Sequence, residues 1–339
     1  MPYHFSNLAF EGGGVKGIAY VGAMQVLEEK GILPDIKRVG GTSVGAINAA
    51  LVALGFGNDE QRKVLWDLNF NLFLDGSWLI PNVARVITRY GWYKGDFFRE
   101  WMGRLVKEKL GNADATFQDL RNAKKPDLYV YGTNLSTHFS EVFSIERTAS
   151  MPITEAVRIS MSLPVFFTAV RNARKDVLVD GGVLVNYPVK LFDRQKYIDA
   201  ENLITNSDKM KYAEQNESFL KTHPERSPYV FNKETLGFRL DSKQEIAAFR
   251  YDEPRVNKID DFVEYVKALV ATILDSQSNT HIEGDDWQRT IYIDTKGVST
   301  TDFSLSDERK RELEESGKKG ASDYFEWFDN PENSPVNRP

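Results

Sequence analysis

Twice within the first 55 residues, a short apolar segment runs into a glycine-rich turn and then into a helical pattern. "NLAF" leads through "EGGGVKG" into "IAYVGAMQVLEEKG", and "DIKRVGG" leads through "TSVG" into "VGAINAALVALG". The two helices close at Gly31 and Gly55, where glycine tolerates the left-handed conformation that ends a last turn. Strands that alternate with helices in this way pair in parallel, and a parallel sheet needs cover on both faces. The expected fold class is α/β: a three-layer α/β/α domain around a mainly parallel central sheet.

Further along, positions 58–110 read as helical and aromatic. Trp66, Trp78, Trp92 and Trp101 fall there with Phe70, Phe73, Tyr90, Tyr93, Phe97 and Phe98, which suggests a helical lobe added to the core. Strand patterns return in "DLYVYGTNL", "SEVFS", "VFFTAV" and "DVLVDGG", with the helix "TEAVRISMS" stopping before Pro164. The catalytic core is placed at 5–200. From 201 to 258 the composition turns polar with scattered apolar anchors, as in a lid-like insertion. A helix-strand-helix unit is expected over 259–328: the amphipathic "IDDFVEYVKALVATILDSQSN", the strand "RTIYIDT", and a last helix capped by Ser306. Residues 329–339 are expected to be disordered.

Composition removes several classes of function. The net charge of −6 argues against a broad nucleic-acid surface, and any contact with an anionic lipid surface must come from a local patch. With no cysteine, disulfides, thiolate metal sites and a cysteine nucleophile are excluded. Neither a signal peptide nor an apolar run long enough to span a bilayer is visible, so the chain reads as cytoplasmic.

Three stretches carry chemistry. The first is G-T-S-V-G, with Ser43 at a strand-to-helix junction between Gly41 and Gly45. A serine there is exposed on a tight turn at a helix N-terminus, where backbone N–H groups favour negative charge. The hydroxyl still needs a base and an oxyanion site. The second is Gly12-Gly13-Gly14-Val15-Lys16-Gly17. Its bare N–H groups can hold an oxyanion, with Lys16 adding positive charge. The same residues spell G-x-G-x-x-G (Gly12, Gly14, Gly17), the fingerprint of a dinucleotide site, yet no carboxylate ends the second strand to hold a ribose. The third is "LVDGGVLVNYPV", where Asp180 ends a buried strand before Gly181 and Gly182. Taken alone, the stretch reads better as an ordinary D-G turn.

Together these stretches resemble the patatin-like phospholipases, a family of lipid acyl hydrolases. The resemblance rests on "EGGGVKGIAYVGAMQVLEEKGI", "VGGTSVGAINAALVALG", "RISMSLPVFF" and "LVDGGVLVNYPV", over roughly residues 8–190, and continues more weakly through "KETLGFRLDS" to the last helix. It implies a patatin-like fold and a Ser–Asp dyad without histidine, with Ser43 as nucleophile and Asp180 as base. Gly12, Gly13 and Gly14 match the oxyanion loop and Lys16 its basic position. Glu11 departs from the aspartate or small residue of many members. The resemblance implies no metal and no cofactor. The implied partner is a phospholipid or other acyl lipid met at a membrane surface, and some bacterial relatives wait for a nucleotide or protein activator; a missing signal peptide leaves a signal-independent route of secretion open.

His4, His138, His223 and His281 stand in polar or turn-like contexts without metal-ligand company, so a histidine-dependent triad is the weaker reading. Two rivals remain. An acyltransferase would use the same acyl-enzyme, and a dinucleotide-binding protein would leave Ser43 incidental.

Overall fold

The computed structural model describes residues 3–68, 88–241, 285–300 and 302–338, with a few positions between 259 and 273. Eight helices are used below: α1 (Ala19–Glu29), α2 (Val44–Leu54), α3 (Asn58–Trp66), α4 (Asp96–Leu110), α5 (Phe117–Asn122), α6 (Ile153–Ser160), α7 (Ala213–Thr222) and α8 (Asp307–Asp329). The strands are β1 (Asn7–Phe10), β2 (Arg38–Gly41), β3 (Gly91–Tyr93), β4 (Asp127–Asn134), β5 (Phe139–Ser144), β6 (Val165–Phe167), β7 (Val170–Arg171), β8 (Val177–Asp180), β9 (Ser207–Asp208), β10 (Phe231–Asn232), β11 (Thr235–Asp241) and β12 (Thr290–Asp294).

The central sheet runs β12-β11-β1-β2-β4-β8-β7, with β5 also paired to β4. From β12 to β4 every pairing is parallel. The pairs β4–β5, β4–β8 and β7–β8 are antiparallel. The fold is therefore α/β around a mainly parallel sheet, as the strand-helix alternation requires.

Register explains how the two faces differ. Leu236, Leu8, Val39 and Leu128 line up across four strands on one face, all buried in the main core with the apolar sides of α1, α2, α6 and α8. On the other face the neighbouring row is Gly237, Ala9, Gly40 and Tyr129. The small residues Gly237, Ala9 and Gly40 admit a close cover. A methyl on Gly237 would lie 1.9 Å from the Tyr187 hydroxyl, and one on Gly40 would lie 2.4 Å from Leu191. Phe192 and Tyr197 complete a second cluster there, edge-on to Tyr129.

Helix ends follow the local chemistry. Gly31 has a φ of +68°, and the bonds Ile32 N–H to Leu27 O and Gly31 N–H to Glu28 O form a Schellman close after α1. The Ser306 hydroxyl caps α8 by accepting from Arg309 N–H at 3.3 Å. Gly22 of α1 and Gly317 of α8 let the two helices touch, since a methyl on either would lie 1.8 Å from the other helix's backbone.

Three boundaries differ from the sequence reading. The stretch 201–258 is not wholly a lid-like insertion, because β11 lies within it and sits between β1 and β12. All seven residues of "TLGFRLD" are buried, and the charges that made it read as surface, Arg239 and Asp241, pair with each other at 2.9 Å. The aromatic lobe is not wholly helical: β3 pairs in parallel with β6. Finally, the stretch after α8 is anchored rather than disordered. Asn337 is fully buried with its amide donating to the Tyr324 hydroxyl, and Val336 N–H donates to Gln288 Oε1. Short polar side chains that satisfy buried groups hold this segment, which an apolar pattern does not reveal.

Phe70, Phe73, Trp78 and His281 lie outside the described residues. Of the helix expected over 259–279, Ile259 and Asp260 are described and are not helical, whereas Glu264, Tyr265, Ala268, Leu269, Thr272 and Ile273 are described and helical. Among the described residues no helix is long and apolar enough to cross a membrane.

Candidate active site

Strand β4 is where Ser43 and Asp180 are brought together. One of its edges carries β5 along residues 129–134. The other edge is shared: β2 pairs with 127–130 and β8 with 132–134, from opposite directions. The two strands thus meet end to end. β2 stops at Gly41, opposite Val130, and β8 stops at Asp180, opposite Gly132. Ser43 follows two residues after the end of one strand, and Asp180 is the end of the other.

Between β2 and α2 the chain turns sharply. Ser43 has φ 54° and ψ −129°, a conformation that L residues rarely adopt. Gly41 and Gly45 permit the turn. A methyl on Gly41 would lie 2.2 Å from Gly45 O, and one on Gly45 would lie 2.5 Å from Phe10 O. Both candidate side chains are buried, Ser43 at 5% exposure and Asp180 at 0%.

The Asp180 carboxylate accepts from Gly182 N–H at 2.7 Å through Oδ1, and its Oδ2 is buried without a hydrogen-bond partner. Ser43 Oγ stands 3.8 Å from Met161 Sδ. The serine hydroxyl nevertheless acts on Asp180, lowering its pKa as a hydrogen-bond donor does. The two groups therefore adjoin without closing a short bond. Burial dominates Asp180, and against the pull of Gly182 N–H and Ser43 its pKa is raised to about 7.

The segment Arg158–Pro164 holds both groups. Ser43 N–H donates to Ser160 Oγ at 2.9 Å, and Asp180 N–H donates to Ser162 O at 2.9 Å. Arg158 is buried behind them, donating to Ser162 Oγ, Gly95 O, Lys94 O and Thr168 O.

The glycine-rich loop lies directly against the serine. A methyl on Gly12 would be 3.1 Å from Ser43 Cβ and 2.4 Å from Asn186 Oδ1. Gly12 N–H donates to Asn186 O at 3.0 Å, so that group is already taken. The N–H groups of Gly13 and Gly14 donate to no acceptor among the described hydrogen bonds, nor does that of Val44, next to Ser43. Gly14 takes φ +56°, with Thr300 O where a side chain would stand. Gly17 packs on Val44, and Gly181 packs on Tyr131 O. Gly182 supplies the N–H on Asp180.

Glu11, just before the loop, is also buried. Its Oε2 accepts from Leu240 N–H at 2.7 Å, and Arg239 Nε stands 4.0 Å from Oε1. Burial and the neighbouring Asp241 hold this carboxyl above its ordinary range, while Arg239 and the buried Lys16 act against that rise. Lys16 thus faces the charges behind the loop as well as the loop itself.

The three described histidines lie elsewhere. His4 bonds Lys233 O at the start of β1, the end of the sheet away from Ser43. His138 is exposed in the β4–β5 turn, and His223 stacks on Phe219.

Sequence reasoning missed Ser160, Met161, Arg158 and Asn186, although "RISMSLP" and "NYP" contain them. The signal is weak because each meets its partner far along the chain. Ser160 lies 117 residues from the N–H it holds.

A model of the family described as patatin-like phospholipase matches residues 8–193. The YqhO protein of Bacillus subtilis is 29% identical over 331 residues, covering 91% of this chain and 94% of its own. A protein named lysophospholipase nte1 from Aspergillus terreus is 56% identical over 47 residues, 14% of this chain and 3% of its own. Among solved structures, VipD from Legionella pneumophila superposes with a TM-score of 0.60 at 18% identity, covering 95% of this chain and 67% of that one, a likeness of fold.

Proposed function

Since the chain belongs to the patatin-like phospholipase family, we propose that it is a lipid acyl hydrolase of phospholipase A type, working through Ser43 and Asp180. The observation that carries this reading is the meeting of β2 and β8 on one edge of β4. It sets a strained serine beside a buried, unpartnered carboxylate oxygen.

The steps follow from the groups present. Ser43 Oγ attacks the ester carbonyl carbon as Asp180 Oδ2 takes the hydroxyl proton. The carbonyl oxygen gains the negative charge and accepts from Gly13 and Gly14 N–H; one such donor is worth about 3 kcal/mol in the transition state. The carbon–oxygen bond to the lipid alcohol then breaks, and Asp180 returns its proton to that oxygen. Water attacks the acyl-serine, Asp180 takes the water's proton, and the fatty acid leaves as Ser43 regains a hydrogen. An ordinary aspartate is too weak a base for a hydroxyl. Burial narrows that gap by raising the Asp180 pKa to about 7. Gly12 positions the loop through Asn186 rather than donating to the oxyanion.

The test is fatty-acid release from mixed phospholipid vesicles, without added calcium. Wild type should release fatty acid, and both Ser43→Ala and Asp180→Asn should lower the rate by at least about a thousandfold. Release that survives Asp180→Asn would remove Asp180 as the base, and release indifferent to Ser43→Ala would remove the acyl-enzyme. Added lysolipid distinguishes an acyltransferase, which would return diacyl lipid at the expense of free fatty acid.

A further inference from the structure

We propose that the β4–β5 turn and the neighbouring β7–β8 turn form one docking surface for an anionic lipid bilayer, beside the site read above as a lipid hydrolase. Two large apolar side chains project from the first turn: Phe139, 72% exposed, and Leu135, 43% exposed. The second turn carries the exposed Arg171, Arg174 and Lys175. The turns are fastened together. Leu135 N–H donates to Val177 O, Val177 N–H donates to Ser136 Oγ, and Asn134 Nδ2 donates to Asp176 Oδ2. Arg171 extends the surface to the exposed Tyr90, donating to its hydroxyl at 3.2 Å.

Position and chemistry both favour a bilayer. β4 runs three residues from Gly132, the partner of Asp180, to Leu135, so the apolar tip stands roughly 10 Å beyond the carboxylate along the strand. β2 runs in the same direction toward Ser43, which puts the tip and the site at the same end of the sheet. The whole chain carries a charge of −6, whereas here Arg171, Arg174 and Lys175 outnumber the two nearby carboxylates, Asp176 and Glu141. Both carboxylates are half-buried: Asp176 accepts from Asn134, Asn172 and Arg174, and Glu141 accepts from Asn134 and stands 3.8 Å from Arg174, which leaves Arg171 and Lys175 as the local excess of positive charge. Cations beside protruding apolar groups match the layering of an anionic membrane, with phosphates outside and acyl chains within. A turn tip is convex and offers no groove for a peptide, whereas a fluid interface admits it.

The test is flotation of the full chain with phosphatidylcholine vesicles, with and without phosphatidylglycerol, beside hydrolysis of a soluble short-chain ester. The variants are Phe139→Ser and the pair Arg174→Gln with Lys175→Asn, asparagine being tolerant of the positive φ at 175. Wild type should float with the anionic vesicles and detach as salt rises. Each variant should bind roughly tenfold more weakly, with ester hydrolysis and melting temperature unchanged. If Phe139→Ser lowers the melting temperature, the charge pair decides alone. Binding indifferent to phosphatidylglycerol, or retained by a folded charge variant, would overturn the surface. Ester hydrolysis without any vesicle binding would also overturn it, leaving the enzymatic reading intact. Vesicle binding that the variants weaken, in a chain that cleaves no ester, would keep the surface and remove the lipid hydrolase.

Discussion

Ser43 holds a backbone conformation that glycine accepts freely and serine does not. The conformation is imposed by the end of β2, the start of α2 and the bond from Ser43 N–H to Ser160. Ser43→Gly should therefore raise stability by about 1 kcal/mol, while Ser43→Ala, equally strained, should not. Chemical denaturation of the two variants checks this. Asp180 has the opposite character, because its cost is electrostatic. Its folded pKa of about 7 lies above the ordinary value near 4, so the folded state holds the proton more tightly than the unfolded chain does. Stability therefore falls as pH rises from about 4 to about 7, and then levels. Asp180→Asn should match wild type at pH 4 and exceed it by about 4 kcal/mol at pH 8. On the proposed mechanism the same ionisation sets the acid limb of kcat/KM in the wild type, which should rise with pH to a plateau above about 7. Urea midpoints across pH and a pH–rate profile give the two readings, and a flat profile would separate Asp180 from the chemistry.

At the scale of elements, the sheet is held from its second face by a segment with little regular structure. Tyr187, Leu191, Phe192 and Tyr197 lie over the row of small residues, and Asp193 fastens them. The Asp193 carboxylate accepts from Arg289 at 2.6 and 2.8 Å, from the Tyr212 hydroxyl at 2.6 Å and from Asn232 N–H at 3.2 Å. Arg289 is fully buried and also donates to Asp286. One carboxylate thus ties the segment to β10, α7 and the start of β12. Asp193→Ala would leave buried N–H groups of Arg289, the Tyr212 hydroxyl and Asn232 N–H without their acceptor and should cost about 3–5 kcal/mol. A fall in thermal midpoint far larger than that of an exposed pair such as Lys221–Glu217 would bear this out.

At the scale of the molecule, the charged groups are sorted by depth. Glu11, Arg239 and Asp241 are buried behind the glycine loop, whereas Arg171, Arg174 and Lys175 stand at the surface beside the exposed aromatic tip. The same strand, β4, organises both regions. Its first half receives the end of β2, its second half receives β8, and its continuation becomes the projecting turn. The site and the surface proposed to meet lipid are therefore two consequences of one strand's pairing. Most of the strand is buried among neighbours, and the turn that continues it is exposed.

The parallel sheet, the two glycine turns and the helices α1 and α2 were legible in the sequence because they are local. Apolar spacing, glycine at turns and capping residues act over a few positions, and the α/β class follows from their order. Ser43 and Asp180 were legible as a pair through their resemblance to a family, not through any spacing between them. Other features were decided by tertiary structure alone. β11 reads as polar until Arg239 and Asp241 are seen neutralising each other in the core. The end of the chain reads as free until Asn337 finds Tyr324. Gly12 matches the oxyanion loop by position, yet its N–H is already spent on Asn186. In each case the deciding quantity is whether a polar group has a buried partner, and that partner comes from a distant part of the chain.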